Sequence, residues 1–186
     1  MLKERGIITI IVCCTFFITL VSAAAAATAD NMFVCDLGVN KIGPKPADTE
    51  AQGNVVFYLD ESKQELTYKL MVEKIQDVYM AHLHIGPAGK EGQTVAWLYP
   101  LPGDVSAERT IEGEFNGILA EGVIRPEDLK DGITFEELLE SLTKGNAYVN
   151  VHTEKFYMGA IRGQVYSEDF ASRMMDENPQ AAGNYK

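Results

Sequence analysis

Cysteine, histidine, tryptophan and positive charge are all scarce in this chain of 186 residues, and each scarcity excludes something. Of its three cysteines, Cys13 and Cys14 lie in an N-terminal apolar run that reads as a removable signal. Cys35 is then the only thiol, so no intramolecular disulfide can form and a packed core must hold the domain. Cys35 is expected to be an inert thiol; an intermolecular link is the alternative. Sixteen Lys and Arg stand against 27 Asp and Glu, a formal net charge of −11. That balance argues against a nucleic-acid backbone or an anionic membrane surface as partner. The sequence contains no phosphate-binding glycine loop, Ser-His-Asp arrangement, paired-cysteine zinc motif or dinucleotide fingerprint. No catalytic residue is assigned.

What is present begins with a secretory pattern. Lys3 and Arg5 precede the uncharged stretch Ile7 to Val21, and Ala27-Thr28-Ala29 offers a small-residue cleavage site. Residues 1–29 are expected to be a signal peptide, which makes the protein secreted or extracytoplasmic. Retention of this segment as a membrane anchor is the alternative. Beyond it, residues 30–52 are expected to hold an N-terminal extension and a first strand, 53–166 the folded domain, and 167–186 a flexible polar tail.

Period-two alternation dominates the domain. Val55, Phe57 and Leu59 alternate in one run, and Leu66, Tyr68, Leu70 and Val72 in the next, with the polar turn Asp60 to Lys63 between them. Val78 to Ile85, Thr94 to Tyr99, Arg109 to Leu119, Ala147 to His152 and Gly159 to Tyr166 also read as strands. Gly113 and Gly117 predict a bulge or an edge in the third of these. Thr134 and Glu137 form a capping box ahead of the stripe Phe135, Leu138, Leu139 and Leu142, and Gly145 stops that helix. Pro126 to Leu129 predicts one further helical turn. Seven or so short strands with one short helix in a connection predict an all-β, antiparallel β-sandwich.

All three histidines fall in two strand-like segments. His82 and His84 stand two residues apart, which on a strand places them on one face. His152 comes from another strand. Three imidazoles with an open fourth position suit copper or zinc, so His82, His84 and His152 are the candidate metal ligands. The alternative is that all three are structural, His82 and His84 hydrogen-bonded to loop carbonyls and His152 to Asn150 or a neighbouring backbone group, with Asn150 itself a structural residue or binding handle. Arg162 is a second candidate, either a binding handle or a register-fixing residue paired with Glu114, Asp77 or Glu154. Trp97 is expected to pack in the core.

These segments also carry a resemblance. His82-Leu-His84 with Gly86-Pro-Ala-Gly89, then Gly145-x-x-Tyr148-Val-Asn-Val-His-Thr153, then Gly159-x-Ile-Arg-Gly-Gln164, resemble the CHRD domain, named for the secreted protein chordin and also found singly in microbial secreted proteins. The resemblance spans roughly Gly53 to Val165. It implies an immunoglobulin-like β-sandwich in a secreted protein, with no established catalytic activity. The chain departs from the family pattern at Ala160, where relatives usually carry Glu. The first expectation is therefore an extracellular binding or interaction module, its partner an unidentified extracellular protein or cell-surface component. The second is a mononuclear copper or zinc protein, with redox activity as its extension. The third is a structural envelope or matrix component.

Overall fold

The structure is a computed structural model of the chain, and it describes residues 31–42, 45–60, 62, 64–101 and 110–177, without the side chains of 173–177. The expected signal segment and the end of the expected tail lie outside these residues. Seven antiparallel strands follow in order: β1 (Met32–Val39), β2 (Gln52–Leu59), β3 (Leu66–Ile85), β4 (Gln93–Tyr99), β5 (Ile111–Ile124), β6 (Ala147–Thr153) and β7 (Ile161–Ser167). The helix α1 (Phe135–Thr143) lies between β5 and β6, and Thr134 and Glu137 cap it reciprocally as the spacing predicts. Pro126–Asp128 forms a short 3-10 turn. No helix among the described residues is long and apolar enough to cross a membrane.

The all-β class is as expected, but the architecture is not two facing sheets. All seven strands belong to one sheet, ordered β2-β1-β7-β6-β3-β4, and β2 also pairs with β3. That extra pairing closes β1, β2, β3, β6 and β7 into a five-strand barrel, to which β4 and β5 are added along β3. The physical cause is the length of β3. The sequence predicts two strands, Leu66 to Val72 and Val78 to Ile85, whereas the chain runs through both as one strand of 20 residues. Its first half pairs with β2 and β5, and its second half pairs with β6 and β4.

Inside β3 the alternation changes phase. Leu66, Tyr68, Leu70 and Val72 are buried in the first half, whereas Ala81 and Leu83 take the inward positions in the second. Between them Lys74 and Asp77 adopt positive φ values of 54° and 48°, and the pairing register slips at several points. Each irregularity of this kind inserts an unpaired residue and bends the strand. The net shift turns the odd-numbered residues inward and leaves His82 and His84 on the outer face.

The barrel interior is filled from every wall. Phe33 and Leu37 of β1, Val55 and Phe57 of β2, Val149 and Val151 of β6, and Ile161 and Val165 of β7 meet the inward residues of β3 in one apolar cluster. Burying a side chain such as Phe57 contributes about 1.5–3 kcal/mol relative to exposure. Phe135, Leu138 and Leu142 of α1 join the same cluster, as the helical stripe predicts. Cys35 is buried in it as well, and burial pushes its thiol far above the ordinary range, with Asp36 adding to the effect. It is an inert core residue, closed to an intermolecular link in this fold. Gly163 lets β7 approach β1 closely, because a Cβ there would lie 2.0 Å from the Asp36 carbonyl oxygen and 2.6 Å from Cys35 Sγ.

The expected tail is a helix over much of its length. α2 (Glu168–Glu177) continues directly from β7, and Phe170 stacks on Tyr166 with ring centroids 5.2 Å apart. An aromatic on the outer face of a strand gives the first helical turn something to rest on, which polar composition alone does not reveal.

Candidate metal centre

The three histidines meet on the outer face of the barrel wall formed by β3 and β6. The register sets His82 opposite Asn150, His84 opposite Tyr148 and Met80 opposite His152. Although they face away from the core, His82 is 7 % exposed, Asn150 6 % and His152 8 %. Two loops cover them. The loop following β3 is tied down at three points: Arg162 Nη2 donates to the Lys90 carbonyl at 2.6 Å, Gln164 Nε2 to that of Gly86 at 2.9 Å, and the Gly92 N–H to the Tyr148 hydroxyl at 3.0 Å. The loop before β7 is held by Asn40, whose amide donates to the carbonyls of Met158 and Gly159 at 3.1 and 3.2 Å. Gly159 sits at φ +107°, where a Cβ would stand 3.0 Å from the Asn40 amide nitrogen and 3.3 Å from that of Asn150. The motif glycines thus permit the loops to close over the polar side chains.

One ring nitrogen from each histidine lies within 4.8 Å of the others. His82 Nδ1 and His152 Nε2 are 3.2 Å apart, close to the roughly 3.3 Å edge of a tetrahedral nitrogen site at ordinary metal distances. The widest separation needs side-chain contraction to reach that edge. Asn150 Oδ1 stands between two of the histidines, 3.1 Å from His84 Nε2 and 3.0 Å from His152 Nε2.

The outer nitrogens determine what the inner ones present. His152 Nδ1 donates to the Tyr157 carbonyl at 2.7 Å. His84 Nδ1 donates toward the Gly92 carbonyl at 3.2 Å, with the Thr94 hydroxyl oxygen at 3.3 Å. A carbonyl only accepts, so each of these Nδ1 atoms carries the proton and each neutral ring turns a bare Nε2 lone pair inward. Each lone pair needs a donor or a cation, and for His152 Nε2 one donor is at hand in His82 Nδ1, 3.2 Å away. The Asn150 amide turned to present its NH2 group satisfies this without metal, and a metal ion satisfies it directly. His82 Nε2 is buried without any hydrogen-bond partner.

The surroundings keep the imidazoles neutral. Burial lowers the His82 pKa to about 3, helped by His152, His84 and Lys130. Burial also lowers those of His84 and His152, against the raising effect of the carbonyls they bind. Aromatic rings complete the walls. Tyr148 stacks on His84 with an interplanar angle of 8° and centroids 4.5 Å apart, and Trp97 stands perpendicular to His82 at 4.5 Å. Trp97 is therefore a wall of this site rather than a residue of the barrel core, contrary to expectation. The Arg162 guanidinium lies 3.2 Å from the Tyr148 ring centroid, on the β7 side of that ring. None of the three carboxylates expected to pair with it does so. Glu114 accepts from Gln76, Asp77 accepts from the Gly113 N–H, and Glu154 accepts from Thr110. A cation–π contact and a loop carbonyl take the place of an ion pair.

The sequence singles out His82, His84, His152, Asn150 and Arg162, and the fold brings all five to one side of the β3–β6–β7 wall. Tyr148, Trp97 and Asn40 were not recognised as part of it. Tyr148 could have been found by period two, since it shares a strand face with Asn150 and His152. Asn40 carries no such signal, being brought to the site by a contact spanning 119 residues.

Fold and site define a closed-barrel, all-β domain with a buried, loop-covered histidine cluster on its outer wall. The chain belongs to the CHRD domain family, whose sequence model matches residues 33–165. No curated protein and no solved structure matches it.

Proposed function

We propose that this is a secreted, extracellular-type binding domain whose ligand is a single copper or zinc ion held by His82, His84 and His152. The observation that carries the reading is the orientation of the rings. Backbone carbonyls of two different loops hold the outer nitrogens of His84 and His152, so that their lone pairs converge inside a buried cluster that also contains His82. Fixing the tautomer through the outer nitrogen is how proteins prepare imidazole for a metal. Asn150 supplies a neutral oxygen between His84 and His152, and Arg162 acts on the site by pinning the loop that covers it. The role is one of binding, with no catalytic residue assigned. Metal analysis of the purified full chain after loading and desalting is expected to give one equivalent, and the His84→Ala protein close to none. Equal contents in the two proteins would remove the site.

A second reading, an interaction module for an extracellular protein or cell-surface component, is supported by another region. Val56, Tyr58, Met71 and Ile118 are exposed large apolar side chains on the outer face of β2, β3 and β5. Met71 pairs with both Asn54 and Ile118, so these residues share one stretch of sheet. A pull-down from the native cell surface that recovers no partner would count against this reading.

A further inference from the structure

We infer that the histidine site is built for Cu(I) rather than for a divalent ion; this rests on the metal-binding reading above. The donor set contains no anion. Among the described residues, the group of His, Cys, Asp and Glu side chains able to hold a metal around His82 consists of the three histidines alone. The remaining donor, Asn150 Oδ1, is a neutral amide oxygen. Two cations rest on the walls: Lys130 lies over Trp97 at 4.9 Å, and Arg162 lies over Tyr148, with the Glu91 carboxylate near enough to act on Arg162. Two of the three aromatic rings against the histidines, Trp97 and Tyr148, thus carry a positive charge, and the third, Tyr79 beside His152, carries none.

Charge and coordination number then decide between ions. The cost of placing an ion in a low-dielectric wall rises with the square of its charge, so a dication costs about four times as much to bury as a monocation, and it is repelled twice as strongly by Lys130 and Arg162. A zinc ion also requires four ligands in a closed site, commonly including a thiolate or carboxylate to offset its charge. Cu(I) is a soft, closed-shell monocation that neutral nitrogen donors can satisfy. Met80 is the register partner of His152 on the neighbouring strand. His82 Nε2 has no polar partner, and the Trp97 ring stands perpendicular to that imidazole at 4.5 Å; a proton on Nε2 facing this ring would leave Nδ1 free to bind.

The test uses the full chain under anoxic conditions. Cu(I) affinity is measured by competition with bicinchoninate, and Zn(II) affinity by competition with a chromogenic zinc chelator. One equivalent of Cu(I) is expected to bind at least ~100-fold more tightly than Zn(II). Zn(II) bound as tightly as Cu(I), and lost in His84→Ala, would overturn the Cu(I) assignment while leaving the metal site standing. Binding of neither ion would overturn both. Lys130 is exposed, so Lys130→Glu tests the electrostatic cause without disturbing the core. It is expected to shift the ratio about tenfold toward Zn(II). An unchanged ratio would overturn the charge argument.

Discussion

The two halves of β3 carry one strand through two different environments. In the first half Leu66, Tyr68, Leu70 and Val72 face the core while Thr67, Lys69, Met71 and Glu73 face water. In the second half Ala81, His82, Leu83 and His84 are all buried. The first half is an ordinary barrel wall, in which outward polar groups keep their hydration. The second half has its outer face roofed by two loops, so every outward polar group there loses water and needs a partner. The partners are specific: carbonyls of Gly92 and Tyr157, the Asn150 amide, and the stacked Tyr148. His82 Nε2 alone lacks one. Stability therefore resides in the inward face of both halves, and the proposed binding function in the outward face of the second.

Substitutions can separate the two. Phe57→Ala removes a fully buried ring opposite Tyr68 in the first half and is expected to cost about 3–5 kcal/mol in urea unfolding, with one metal equivalent still bound by the protein that remains folded. Loss of metal with stability unchanged would reverse the assignment of the two faces.

Acid should act chiefly on the second half. In the metal-free protein, burial and neighbouring positive charge hold His82 down to about 3, and burial lowers His84 and His152 as well. The unfolded chain takes up these protons near pH 6.5, whereas the folded one resists until lower pH, so the unfolded state binds more protons in between. Stability is then full above about pH 6.5 and is lost as pH falls toward 3, by a few kcal/mol in total. Asp60 and Glu137, whose carboxyls are lowered by hydrogen bonds to Ser62 and Thr134, add to the loss only in the carboxylate range, below about pH 5. Unfolding free energies measured at about pH 7.5 and pH 5 isolate the histidines. A flat profile across that window would show that the cluster is hydrated rather than roofed.

Smaller effects sharpen the contrast. Arg162→Leu removes the stack on Tyr148 and the bond to the Lys90 carbonyl, and is expected to cost about 1–2 kcal/mol and to speed metal exchange by loosening the covering loop. Unaltered exchange would mean that the loop does not depend on Arg162. In the first half, Lys69→Ala breaks an exposed ion pair with Glu121, and the change should stay below about 0.5 kcal/mol with metal binding untouched.

Much of this was legible in the residues. Alternation located the strands, the Thr134–Glu137 box fixed the start of α1, and the histidine motifs identified both the family and the candidate ligands. The barrel was not legible, because residues 73–77 break the period-two pattern and read as a strand end. In the fold they are bulges within one continuous strand, held by long-range bonds such as Asn116 Oδ1 accepting from the Lys74 N–H. A separate register slip between β3 and β4, at Leu83/His84, hid the side on which Trp97 lies. Arg162 looked for an acid because sequence offers carboxylates as its natural partners, whereas the register set Tyr148 beside it.

The central claim is that three imidazoles from β3 and β6 bind one ion together. X-ray absorption of the copper-loaded full chain tests it most directly. The expected first shell is dominated by imidazole nitrogens, about three of them near 2.0 Å, with characteristic outer-ring scattering that is lost when His152 is replaced by Ala. A shell of oxygen or sulfur atoms without imidazole scattering, or a spectrum indifferent to His152, would contradict it.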